Sequence, residues 1–221
     1  MNHLLTDIYK RRLGSDHQFR QRMYSVLCNK VFQSFIPKQA TVLDLAAGYC
    51  EFINNIQAEK KIAVDLNPET QSHANSDVEV FITNTTDLHQ VQDETIDVIF
   101  TSNFFEHIKK TDIVKTIAEA HRVLKLGGHF LILQPNIRYC YKDYWMFFDH
   151  ITPIDHHSLS EILEVHHFVI EMCKPRFLPF STKGRLPNSI ALLKIYLKLP
   201  ILHRLFGKQL FMVAQKTGGH T

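Results

Sequence analysis

The segment between Asn136 and His157 concentrates side chains able to move protons. Asp149-His150 and Asp155-His156-His157 place carboxylates next to imidazoles, and Tyr139, Tyr141, Tyr144 and Trp145 precede them. A neighbouring carboxylate raises the basicity of a histidine and fixes its tautomer, which suits removal of a proton from a hydroxyl group. His150 is the first choice for such a base, followed by Asp149, His156 and Tyr144. Surface histidines with a helix cap around Asp155 to Ser158 fit the same residues. The histidine spacing matches no common zinc pattern, so no metal centre is expected here.

A second constellation is "VLDLAAGYCEF", residues 42–52. A buried-strand pattern ends in Asp44, and the small residues Ala46, Ala47 and Gly48 let backbone approach a ligand closely. Asp65, closing "KIAVD", stands 21 residues after Asp44, at the distance of an acid that meets ribose hydroxyls. A dinucleotide loop would carry glycine at its first, third and sixth positions, here Ala46, Gly48 and Glu51. A glutamate beside a pyrophosphate is repelled by roughly 1 kcal/mol or more. S-adenosylmethionine has no phosphate and carries a sulfonium and an ammonium, so Asp44 and Glu51 suit it better. Asp44 can also simply cap a helix after the loop, and Asp65 can cap the turn before Pro68.

Alternating strands and helices must hold these residues. "ATVLDLA" reads as a strand, "CEFINNIQA" as a short helix, and "KIAVDLN", "VEVFIT" and "TIDVIFTS" as three more strands. Then comes a helix capped by Thr111 or Asp112, with Ile113, Ile117, Ala120 and Leu124 on one face and Gly127-Gly128 ending it. "HFLILQP" is a fifth strand, a helix is expected from about Ser158, and "VIEMC" and "QLFMVAQK" are two closing strands. This rhythm implies parallel βαβ units in an α/β, doubly wound, Rossmann-like sheet of seven strands with helices on both faces. A leading helical segment occupies residues 1–36. With no repeat and no linker, residues 1–221 are expected to form one domain.

Four motifs in order then resemble the class I S-adenosylmethionine-dependent methyltransferases, in particular their small-molecule branch. "VLDLAAGYCEF" is similar to that family's first motif, with Asp44, Gly48 and Glu51-Phe52 matching and Ala46 and Cys50 departing from glycine. "FITNTTDLH", "IDVIFTSNFFEHI" and "EAHRVLKLGGHFLILQPN" resemble the segments around the third, fourth and fifth strands, with Leu126 where proline is usual. The resemblance covers about residues 38–136. It implies a mostly parallel seven-stranded sheet whose last strand is antiparallel. It also implies S-adenosylmethionine as cofactor, with S-adenosylhomocysteine as product. Asp44, Ala46, Gly48 and Tyr49 would lie at the methionine end, Asp65 and Leu66 at the ribose, and Asn84 and Thr85 at the adenine edge. Asn103, Phe104 and His107 would lie beside the cofactor. Asn84 also fits turn chemistry, and His107 a satisfied buried histidine.

Charge and composition narrow the acceptor. After Glu171 no Asp or Glu occurs, while nine of the 25 lysines and arginines do. Such asymmetry points to an anionic partner, or to a solvated basic face. Within the basic apolar insertion 174–207, residues 186–206 suit an interfacial or lid helix touching a membrane surface. A core-packing helix with Lys194 and Lys198 as its wet face fits them too. Unpaired, widely spaced cysteines and an N-terminus without an apolar leader make a cytoplasmic, or membrane-peripheral, location the expectation. The expected function is methyl transfer to a small or lipid-linked acceptor bound near 136–157, with family context suggesting a saccharide-type hydroxyl. A methyltransferase-like binding or regulatory protein without turnover is the alternative. Nucleic acid is disfavoured, because "SNFFEH" stands where an N-P-P-Y-type motif would be.

Overall fold

The computed structural model describes residues 17–180 and 189–218. Its elements are α1 (His17–Lys30), β1 (Thr41–Leu45), β2 (Lys60–Asp65), α2 (Thr70–His73), β3 (Val78–Ile82), β4 (Ile96–Ser102) and α3 (Lys110–Val123). There follow β5 (Leu124–Pro135), α4 (Ile137–Tyr144), α5 (His156–Val165), β6 (Phe168–Leu178), α6 (Ile190–Lys198), α7 (Pro200–Phe206) and β7 (Gln209–Lys216). The seven strands form one sheet in the order β3-β2-β1-β4-β5-β7-β6. β1 to β5 pair in parallel, and β7 runs antiparallel to both β5 and β6. The expected doubly wound sheet with an antiparallel last strand is therefore present.

Strand residues alternate between two apolar layers, as a sheet covered on both faces requires. Val42, Val98, Phe100, Leu131 and Phe211 face the layer that holds α1, with the Phe52 ring stacked 3.8 Å from Phe100. Leu43, Leu45, Ile99, Phe130, Ile132 and Met212 face the layer that holds Ile113, Ile117 and Ala120 of α3 and Leu159 and Leu163 of α5. The parallel order places the ends of β1, β2, β4 and β5 side by side, where ligands meet in this class of sheet.

Several elements differ from their sequence reading. "CEFINNIQA" forms turns and a short 3-10 segment, Ile53–Asn55, instead of an α-helix. Asn55 Nδ2 donates to the Glu51 carbonyl and Asn54 Nδ2 to the His73 carbonyl, so side chains compete for backbone groups. Neither Thr111 nor Asp112 caps α3; Lys109 holds that position without a side-chain bond, and Asp112 lies in the first turn, where it complements the helix dipole. The helix ends at Val123, and Gly127-Gly128 lies where β5 slips in register against β4. A Cβ on Gly128 would stand 3.0 Å from the Asp97 carbonyl oxygen, which explains glycine there. β6 extends to Leu178, so the insertion begins as strand. Part of it, residues 181–188, lies outside the described residues, as does 1–16 of the leading segment.

The remaining insertion packs instead of standing free. The Tyr196 hydroxyl donates to the Phe177 carbonyl at 2.7 Å, and Leu193, Leu197 and Leu202 pack on the α1 layer. Leu192, Ile195, Leu199, Ile201, Leu205 and Phe206 remain exposed beside Lys194 and Lys198.

Candidate active site

At the end of β1 three carboxylates crowd together. Asp44 is 3% exposed, and its Oδ2 has no hydrogen-bond partner. Burial, then the nearby charges of Glu51 and Asp65, pushes its carboxyl well above the usual carboxylate range. Arg20 of α1 reaches into this cluster and donates from Nε to Glu51 Oε1 at 2.8 Å. Sequence reasoning missed Arg20, which shows no motif of its own in an amphipathic helix.

The loop after β1 is held in a costly conformation. Ala46, Gly48 and Cys50 all adopt the left-handed region, with φ of 58°, 54° and 60°. The two departures from the family's glycines thus fall on backbone positions that favour glycine, at a cost of about 1–2 kcal/mol each. Hydrogen bonds hold the loop in place. Gly48 N donates to Asp65 Oδ2 at 2.7 Å, Asn67 N donates to Asp65 Oδ1 at 2.8 Å, and the Thr70 hydroxyl donates to the Gly48 carbonyl at 2.8 Å. Burial raises the Asp65 carboxyl, and these backbone donors oppose the rise. The Cys50 thiol is buried and points to the Thr70 carbonyl, 3.7 Å away. Tyr49 packs its ring 4.2 Å from His73 and 5.6 Å from His17, while Leu66 is exposed.

Beyond β3, Asn84 is exposed and its Oδ1 accepts from Thr86 N, an Asx turn. The Thr85 hydroxyl is buried against that of Thr116 at 2.9 Å, so its side chain is already engaged. Asn103, at φ 48°, follows β4, and its N–H donates to the Leu133 carbonyl of β5. Phe104 is half-buried beside it.

The acid–imidazole chemistry gathers at the turn after β4. His107 Nδ1 lies 3.2 Å from both the Asp149 carboxylate Oδ2 and the Asp149 carbonyl. Its Nε2 lies 3.6 Å from Glu106 Oε1, while Gln134 Nε2 donates to Glu106 Oε2 at 2.6 Å. The His150 ring stands edge-on to His107, with centroids 4.9 Å apart, and is walled by Tyr144 and Phe147. Glu106 is 1% exposed; burial raises its carboxyl, and His107 opposes that rise. Backbone pinning explains the assembly. Ile151 N and Thr152 N donate to the Glu106 carbonyl, and the Thr152 hydroxyl donates to the Ile108 carbonyl.

The four base candidates separate by place. His150 and Asp149 join His107 and Glu106. Tyr144 is fully buried, and its hydroxyl donates to the Thr152 carbonyl at 2.5 Å, so it positions the segment. Burial pushes that hydroxyl far above its ordinary range. His156 lies apart, at the start of α5, where Asn136 Nδ2 donates to its Nδ1 and Asp155 caps the helix in a capping box. Glu106 escaped the sequence reading although it directly precedes His107; its signal was an acid next to a histidine within the strand-four motif.

Comparison with known proteins agrees with this fold. Residues 43–132 match the family model described as a methyltransferase domain. A S-adenosylmethionine-dependent methyltransferase from Archaeoglobus fulgidus is 19% identical, with a TM-score of 0.65 over 91% of this chain and 97% of that one. A Haloferax volcanii structure combining the Trm112 methyltransferase activator with a methyltransferase candidate reaches 0.70 at 17% identity, over 97% and 98% of the two chains. Geranyl diphosphate C-methyltransferase from Streptomyces coelicolor A3(2), in complex with Mg2+, geranyl diphosphate and S-adenosylhomocysteine, gives 0.58 at 12% identity, over 84% and 74%. No curated protein sequence matches the chain. Residues 43–132 are thus similar to a methyltransferase domain, and the chain as a whole shares the fold of solved S-adenosylmethionine-dependent methyltransferases.

Proposed function

We propose that this protein transfers a methyl group from S-adenosylmethionine to a hydroxyl oxygen of a small or lipid-linked acceptor of saccharide type. The orphaned Asp44 oxygen in a buried cluster of three carboxylates supports the fit of a cationic cofactor. Asp44, Ala46, Gly48 and Tyr49 would hold its methionine end, Asp65 and Leu66 its ribose, and Asn84 and Thr85 its adenine edge, with Asn103 and Phe104 beside the cofactor. When bound, the cofactor supplies a methyl carbon already activated by sulfonium. This chain must then orient the acceptor, exclude water and accept one proton.

The observation that carries the hydroxyl reading is the Glu106–His107–Asp149–His150 cluster at the end of β4. His150 is the proposed base, with His107 and Asp149 orienting it within a wall of aromatic rings. Trp145, Met146, Phe148 and Ile151, all more than half exposed, border this cluster in sequence and support an acceptor with an apolar portion. The exposed apolar residues of α6 and α7, with Lys194 and Lys198, support contact with an anionic lipid surface. Among the described residues no helix is long and apolar enough to cross a membrane. The test is mass spectrometry of products from free and lipid-linked sugars. Methyl ethers on a lipid-linked sugar support the reading, while methylation only of amines or carbons overturns it. Sedimentation with anionic vesicles should deplete the protein from solution, and no depletion removes the membrane arm.

A further inference from the structure

Glu106, His107 and His150 each offer a ligand atom, and these atoms lie within 4.8 Å of one another. Among the described residues no other grouping of three His, Cys, Asp or Glu side chains does so. Their sequence spacing hid this, because Glu106-His107 and His150 come from two segments brought together by the backbone bonds to the Glu106 carbonyl.

The orientation of His107 gives the grouping its chemistry. Both Asp149 oxygens near Nδ1 are acceptors, so that nitrogen carries the hydrogen. Nε2 then faces Glu106 Oε1, 3.6 Å away; burial lowers the imidazole, but the carboxylates of Glu106 and Asp149 outweigh it and raise the ring above its ordinary range. A metal cation at this position would take the place of the Nε2 proton, so its binding releases that proton and tightens as pH rises. A tetrahedral ion with ligands at about 2.0–2.2 Å sets neighbouring ligand atoms roughly 3.4 Å apart. Gln134 already occupies Glu106 Oε2 as a donor, leaving Oε1 for the ion. Asp149 stands where the outer carboxylate of a carboxylate–histidine–metal arrangement stands. Partial exposure of His107 provides a route of entry.

We infer that Glu106, His107 and His150 bind a divalent transition-metal cation such as zinc, manganese or iron(II), with Asp149 orienting His107 from outside. Two imidazoles and one carboxylate suit those ions and leave positions open. On the reading of this end as the acceptor site, an open position takes an acceptor oxygen and lowers the pKa of its hydroxyl, whose proton leaves to solvent. In the metal-bound form this replaces His150 as base, because a coordinated imidazole has no lone pair left.

The experiment is titration of the metal-stripped full chain with Co2+, monitored by visible absorption and by calorimetry. One equivalent is expected to bind with a d–d band, and Zn2+ should displace it. Glu106→Gln and His150→Asn should each weaken binding at least tenfold, while His157→Ala should leave it unchanged. Circular dichroism reports whether each variant is folded. In the unaltered protein, Co2+ should shift the ring-proton resonances of His107 and His150 and spare those of His156 and His157, so the test survives a variant that fails to fold. Absence of a band, or resonance shifts confined to His156 and His157, overturns the site. Cofactor binding is measured on the metal-free chain: if that persists while the metal fails, the cofactor reading stands and the metal falls; the converse result removes the cofactor reading and keeps the metal.

Discussion

The two ends of this site are built in opposite ways. The β1–β2 end is local: Asp44, the 46–50 loop and Asp65 lie within 22 residues and are locked by backbone donors. The β4–β5 end is long-range: Glu106 and His107 meet Asp149 and His150 across more than forty positions. The first end gathers three carboxylates, whose charged forms a bound cation would favour, beside left-handed backbone at Ala46, Gly48 and Cys50. The second matches its carboxylates with imidazoles and surrounds them with aromatic rings. On the proposed function, the first would be the cofactor end and the second the acceptor end, arranged for proton handling.

That contrast is broken most strongly by separating binding from turnover. His150→Ala should lower kcat by about 10²–10⁴-fold while cofactor affinity stays within threefold. Steady-state kinetics and calorimetry on one preparation check this, and a parallel loss of cofactor affinity would merge the two ends. Asp65→Ala should have the converse pattern. Losing the partner of Gly48 N and Asn67 N should weaken S-adenosylmethionine about 100-fold, equivalent to roughly 2.7 kcal/mol. Fluorescence titration measures it.

Asp44→Asn sharpens the charge claim by moving two quantities in opposite directions. Removing a buried, half-partnered carboxylate should stabilise the cofactor-free chain by about 1–2 kcal/mol, seen as a higher Tm, yet weaken cofactor about tenfold. A lower Tm would show that Asp44 is better satisfied than its orphaned Oδ2 suggests. Arg20→Ala should lower Tm, because it leaves buried Glu51 without its Nε donor, at a cost of about 2–3 kcal/mol in chemical denaturation.

The smallest effect concerns strain. Ala46→Gly relieves a φ of 58° and should gain up to about 1 kcal/mol, less the entropy glycine adds to the unfolded chain. Cys50→Gly should not gain, because the buried thiol packs in the core and meets the Thr70 carbonyl. A stabilised Cys50→Gly variant would show that its strain exceeds its packing.

The difference in construction also explains what was readable in the sequence. Strand positions, their parallel order and the Asp44–Asp65 spacing follow from local alternation and small residues, so the proposed cofactor end was visible. The segment after Cys50 was misread because Asn54 and Asn55 spend their amides on neighbouring carbonyls and stop a helix. His150 and Asp149 were chosen for adjacency, yet what groups them is the pairing of Asp149 with His107 over 42 residues, which no local pattern encodes. Tyr144 and His156 carry the same functional groups as catalytic residues, and only backbone bonding showed that Tyr144 positions Thr152 and that His156 belongs to the start of α5. Arg20 left no trace because a single guanidinium on an amphipathic helix has many possible partners.

Calorimetric titration of S-adenosylmethionine into the unaltered chain and into Asp65→Ala tests the cofactor end most directly. One-site binding in the micromolar range, lost in the variant, is the expected result. No heat of binding in the unaltered chain would contradict a working cofactor site.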